Sequence, residues 1–450
     1  MRVMDLPGAV HLPELGREMH AFMAEVFPYC RSITGEGLRA TLRRIGEVLP
    51  LQLAEVPTGT QVFDWTVPRE WNIRDAYVAD GTGRRVIDFR ESNLHVVNYS
   101  VPVRRRMSLD ELRPHLHTLP DHPSWVPYRT SYYADDWGFC LSEEALHRLA
   151  PGEYQVVIDS SLSPGSLSFG EAVLPGAREE EILISAHACH PSLANDNLSG
   201  VAVAAFLGKL LASADRGFTY RILFAPGTIG AIAWLAQNER RLARIHSGLV
   251  LACLGDEGGV VYKRSRLGRG AVDRAARHLL SRRGAPDQVV DFSPYGNDER
   301  QFCSPGFDLP VGALTRSGHD RAARHHTSAD DLASIDPAAL SDSLSVCLAI
   351  LGILEEDATV TSLNPKCEPQ LGRRGLYRAF GGRAEQSALE SALLWVMSLA
   401  DGAHTLLDIA DRAGLPFAAV EEAARRLEAE RLLVRERRPR TAAERGGTGP

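Results

Sequence analysis

The chain has 450 residues, 44% hydrophobic and 24% charged, with a formal net charge of -7. That length calls for more than one domain, the composition is globular, and the acidic balance argues against nucleic acid or an anionic membrane as the main partner. Seven cysteines are scattered without a Cys-x-x-Cys pair, and no run of about 18 apolar residues or signal-like amino terminus is present, so a reduced, cytoplasmic protein with no membrane partner is expected.

In chain order, residues 1–60 show helical periodicity from Leu12, broken at Ser32-Ile33-Thr34-Gly35-Glu36-Gly37 and resumed over Leu38, Leu42, Ile45 and Leu49. This predicts a pair of helices packed on the core. Residues 61–170 change to short β-prone segments between Pro, Gly and Asp, which reads as an inserted β-rich unit. Residues 171–365 then alternate predicted strands (182–186, 220–225, 249–254 and 309–314) with predicted helices (201–211, 229–236, 272–282 and 340–354). Such alternation predicts an α/β core, a mostly parallel sheet flanked by helices.

Residues 366–435 carry three predicted helices and a short strand, the pattern of a winged helix, and the Arg-, Gly- and Thr-rich tail 436–450 is expected to be disordered. The last predicted helix mixes Glu421, Glu422, Glu428 and Glu430 with Arg425, Arg426 and Arg431 and has no basic face. Packing or dimerisation fits it better than DNA, which leaves a homo-oligomer among the expected states and a DNA-binding regulator as a secondary alternative.

The chemistry concentrates at the predicted strand ends. The apolar run Ile182-Leu183-Ile184 delivers His187, and nine residues later Asp196 stands within Asn195-Asp196-Asn197, opening a helix. Asp256 follows the strand at 249–254, and His326 lies in Arg324-His325-His326-Thr327-Ser328-Ala329-Asp330 after the last strand. Open α/β sheets bind ligands beyond the carboxyl ends of their strands. Two histidines and two carboxylates, one of them bridging, are the composition of a two-zinc hydrolytic centre. Singly, each residue has a plainer role: Asp196 as a helix cap, Asp256 in a turn, His325 and His326 on a surface loop; His190 could complete a single zinc site, but a turn role beside Pro191 is favoured.

Together with Pro68-Arg69-Glu70-Trp71-Asn72-Ile73, Pro127-Tyr128-Arg129-Thr130-Ser131-Tyr132-Tyr133 and Asp298-Glu299-Arg300-Gln301-Phe302-Cys303, these motifs resemble a bacterial aminopeptidase-like family related to the di-zinc aminopeptidases, with an inserted β domain and a carboxy-terminal winged helix. The resemblance implies one or two Zn2+ per chain, with Asp196 bridging, His187 and Asp256 completing one site and His326 belonging to the other. It also implies hydrolysis of an amide or peptide bond in a small molecule or short peptide.

One departure stands out. Where the resembling family carries Pro-Glu-Thr-Ile-Gly, with the glutamate that accepts the proton of the attacking water, this chain has Pro226-Gly227-Thr228-Ile229-Gly230. A general base contributes roughly 10²–10⁴-fold, so a stand-in is required for activity. Glu257 and Glu299 are the candidates; the alternative is a catalytically silent or remodelled binding protein. Arg129, Tyr132, Tyr133 and Trp137 are candidate substrate-pocket residues between insertion and core.

Overall fold

The computed structural model describes residues 1–316, 324–376 and 388–436. Its core is an eight-stranded sheet in the spatial order Gln52–Pro57, Ser166–Leu174, Thr219–Ala225, Glu181–His187, Ile245–Leu251, Val311–Arg316, Val260–Lys263 and Gln288–Val290. The four central strands run parallel, and antiparallel neighbours flank them.

Buried strands of this kind present apolar side chains to both faces. Ile182, Ile184, Ile222, Phe224, Leu249 and Leu251 face one core with the helices Leu12–Val26, Glu36–Val48, Gly200–Ala212, Ala271–Arg283 and Pro337–Glu356. Leu183, Leu223, Ala225 and Val250 face a second core with the helix Ile229–Asn238. Pro337–Glu356 is long and apolar enough to cross a membrane by composition, yet most of it is buried against these neighbours.

Several expectations shift. The strand expected over 249–254 begins at Ile245 and leaves the sheet after Leu251, because Cys253 adopts a left-handed φ of 53° and its N–H goes to the Asn197 side chain. The last parallel strand starts at Val311 rather than 309, after Pro310, which has no N–H to give the ladder. Strands Val260–Lys263 and Gln288–Val290 were not anticipated; they extend the far edge.

The boundaries expected at 61 and 170 fall beside strands of the core sheet: Gln52–Pro57 precedes the first, and Ser166–Leu174 runs across the second. Between them sits a four-stranded antiparallel sheet (Arg85–Asp88, Glu70–Ala79, Glu153–Ser163, Val103–Ser108) with its own small core. The carboxy-terminal module likewise reaches back past 366, since Thr359–Ser362 is the middle strand of its three-stranded sheet. Its helices are Ala388–Leu399, Leu406–Ala413 and Phe417–Ala429. Apart from Glu436, the tail expected at 436–450 lies outside the described residues.

The module's buried apolar residues, among them Leu406, Ile409 and Val420, belong to the same cluster as the core helices, and polar contacts add to that docking. From the core helix Ala271–Arg283, Arg274 meets Asp408, Arg277 meets Asp411, and His278 bonds Asp411 through Nδ1 (2.6 Å) while its Nε2 accepts the N–H of Phe417 (3.1 Å). On the helix Phe417–Ala429, Glu421 is buried and paired with Arg2 and Arg435.

Candidate metal centre

The parallel strands end on one rim, and the loops leaving it build the site. His187 is the last residue of its strand and is buried. The chain then passes Cys189 and His190, and Asp196 opens the segment leading into the helix Gly200–Ala212. Asp196 Oδ1 lies 2.9 Å from His187 Nε2, while Oδ2 lies 2.9 Å from His326 Nε2, 3.4 Å from His325 Nδ1 and 4.0 Å from His190 Nε2. One carboxylate, 3% exposed, is thus ringed by four imidazoles.

Burial alone would raise the Asp196 carboxyl, but His190, His187 and His326 hold it well below the usual range. Burial drives His190 well below the ordinary imidazole value, which keeps it neutral with a lone pair to offer. At His187 burial works the same way, but the bond to Asp196 prevails and raises it.

Among the described residues, two groups of donors are close enough to hold a cation, each with its ligand atoms within 4.8 Å of one another: His187, His190 and Asp196, and Asp196, Cys253 and His325. Asp196 belongs to both. The donors fit zinc, which takes neutral imidazole, carboxylate and thiolate. A pocket of about 500 Å³ opens over the second group, lined also by Asn195, Asp256, Glu257, Arg324 and Asp330.

The loops are held from behind. Asp330 receives the backbone N–H groups of Asn195 and Asp196, and burial pushes its carboxyl up to about 7. Asn195 donates through Nδ2 to Asp256 Oδ2 (3.0 Å) and accepts the Gly255 N–H. Asn197 donates to the carbonyls of His187 and Leu251. Four non-glycine residues on these loops, Ser192, Thr228, Cys253 and His326, have left-handed φ. Such strain persists only where surroundings impose it, and it gathers at functional sites.

Of the residues singled out from sequence, His187, Asp196 and His326 meet directly. Asp256 stands on the pocket wall with its carboxylate engaged by Asn195 and by the Gly258 N–H, and it belongs to neither donor group. Glu257 is exposed on the same wall. Glu299 is fully buried and ion-paired with Lys263, and no hydrogen bond reaches its oxygens among the described residues. Its neighbour Asp298 accepts the Thr228 N–H (2.7 Å). A Cβ built on Gly227 would meet nothing closer than Cys189 Sγ at 3.6 Å and His187 Cβ at 3.7 Å, so that position has room beside the centre.

The insertion reaches the centre through a residue the sequence did not single out. Tyr128 is buried, its ring centroid 5.2 Å from those of both His190 and His326, and its N–H bonds the His326 carbonyl. Tyr132 touches Tyr128 through its hydroxyl (3.0 Å). Tyr133 is half exposed against Trp65, Arg129 is exposed and bonded to His117, and Trp137 stacks on His115 within the insertion. His190, His325, Cys253 and Asp330 were also underrated. The doubled histidine and the Asp330 closing that motif were the available signals; nothing in the spacing marked Cys253.

A family model described as Domain of unknown function (DUF4910) matches residues 20–357, and one described as winged helix-turn-helix matches residues 358–435. A Clostridium acetobutylicum protein, named for polysaccharide biosynthesis with an aminopeptidase-like domain, is 49% identical over 422 residues, covering 93% of this chain and 96% of its own. A crystal structure from the same organism, named as a peptidase, superimposes with a TM-score of 0.90 at 47% identity, covering 94% of this chain and 97% of that one. A zinc aminopeptidase from Bacillus subtilis shares the fold, with a TM-score of 0.54 at 11% identity over 76% of this chain and 95% of its own.

Proposed function

Since the chain belongs to the DUF4910 family, joined to a winged helix-turn-helix module, and is 49% identical to a relative named for an aminopeptidase-like domain, we propose that it is a zinc-dependent hydrolase of aminopeptidase type, cleaving an amide or peptide bond in a small substrate. The observation that carries this reading is the single buried Asp196 carboxylate shared between two donor groups at the carboxyl rim of the sheet.

His187, His190 and Asp196 would hold one ion, with His326 on the same carboxylate. When bound, the metal supplies a Lewis acid for the scissile carbonyl and acidifies water toward neutrality. Glu257, exposed on the pocket wall beside Asp256, is the group we assign to take the proton; Glu299 is committed to Lys263. Tyr128 walls the centre from the insertion side and restricts it to short ligands. The relative's name adds polysaccharide biosynthesis as a setting, so amides borne on sugar precursors belong in the assay beside aminoacyl amides and short peptides.

The test is hydrolysis of that panel by protein stripped with chelator and reloaded with zinc. Activity restored by zinc and lost in Glu257→Gln supports the reading. A second reading, a catalytically silent binding protein, is favoured by Gly227. Gly227→Glu decides between them, because the space beside His187 admits the new side chain's first atom. Activity in that variant alone would mean the natural protein is silent.

A further inference from the structure

Of the two donor groups that share Asp196, the hydrolase reading uses the one with His187 and His190, which leaves the group with Cys253 and His325 without a role. Cys253 is 8% exposed, and no hydrogen bond engages its Sγ among the described residues. Its backbone is held at φ 53°, a left-handed conformation that L-residues rarely adopt. It is pinned there by the Asn197 Oδ1 that accepts its N–H (3.1 Å) and by the Arg316 N–H that its carbonyl accepts (2.9 Å). The turn places the thiol beside Asp196 and His325 in one group whose ligand atoms lie within 4.8 Å of one another. Donors around a tetrahedral zinc stand about 3.3–3.7 Å apart, so closure needs only side-chain adjustment.

The surroundings favour a cation. Asp256, Glu257, Asp330 and Asp336 line the same pocket against Arg324. His325 stacks on His326 at 4.0 Å with an interplanar angle of 16°, so adjacent residues present imidazoles to one carboxylate oxygen of Asp196.

We propose that Asp196, Cys253 and His325 form a second cation site, suited to zinc or another thiolate-binding divalent metal. On binding, the Cys253 thiol gives its proton to solvent as its sulfur ligates the metal, so affinity rises with pH. The inference rests on the Asp196 centre of the hydrolase reading and not on hydrolysis itself.

Cobalt(II) replacement in the full chain tests it, because a thiolate ligand produces a sulfur-to-cobalt charge-transfer band in the near ultraviolet. The wild type is expected to take about two cobalt ions per chain and to show the band. Cys253→Ser is expected to abolish the band and to retain about one ion, while Cys189→Ser keeps both. Should Cys253→Ser fail to fold, His325→Gln, which leaves the thiol in place, is expected to lower the content to about one ion per chain. A cobalt-loaded wild type without the band, a band that survives Cys253→Ser but disappears with Cys189→Ser, or full metal content in His325→Gln would overturn the assignment. A band without hydrolysis of any substrate leaves this site standing and removes the hydrolase reading; hydrolysis without the band does the reverse.

Discussion

The carboxyl rim of the sheet and the junction with the winged helix both pair a buried histidine with aspartate, but they are wired differently. At the junction each group is matched: both ring nitrogens of His278 are engaged, and Arg274 and Arg277 each meet a carboxylate. At the rim four imidazoles crowd one carboxylate, a thiol stands without a hydrogen bond among the described residues, and the backbone is strained at Cys253 and His326. Polar groups that saturate one another hold domains together; polar groups that converge on a common point without saturation await a further positive charge.

Removing the shared group should break that contrast most completely. Asp196→Ala is expected to abolish metal binding and all hydrolysis of the substrate panel, while the equivalent deletion at the junction, Asp411→Ala, should leave both intact; steady-state rates with elemental analysis check this. Next in size, Glu257→Gln should lower kcat by roughly 10²–10⁴-fold with zinc retained, as for loss of a general base. A fall of less than tenfold would remove Glu257 from that role.

Tyr128→Ala deletes the ring that packs on His190 and His326 and should lower unfolding stability by about 3–5 kcal/mol, read from urea midpoints. Tyr128→Phe keeps the ring and should lose far less. The smallest effect sharpens the junction side. Burial lowers the His278 pKa, partly offset by Asp411, and Nε2 accepts the Phe417 N–H, so the docked ring is neutral. A depressed histidine contributes stability that is present above its unfolded value of about 6.5 and lost as pH falls through the folded one. Docking of the module should therefore weaken below about pH 6.5, seen as faster limited proteolysis that separates module from core, and His278→Gln should flatten that dependence.

The fold was legible where apolar runs are long. Ile182-Leu183-Ile184 and Tyr220 to Ala225 have the two-sided burial of central strands, and the helix and strand alternation after residue 170 determined the core. Strand ends were less legible, because the run through Ala252-Cys253-Leu254 stays apolar after it has left the sheet. His187, Asp196 and His326 could be read from their place after strands. The contribution of Cys253 could not, since it depends on one backbone angle and on an Asn197 bond spanning 56 positions. Nor could that of Tyr128, whose insertion loop approaches the rim only in three dimensions.

Zinc content per chain, measured side by side for the wild type and Asp196→Ala purified without chelators, tests the account at its centre. Between about one and two zinc ions in the wild type and none in the variant is the expected result. A zinc-free wild type that also refuses added metal, or equal content in the two proteins, would contradict it.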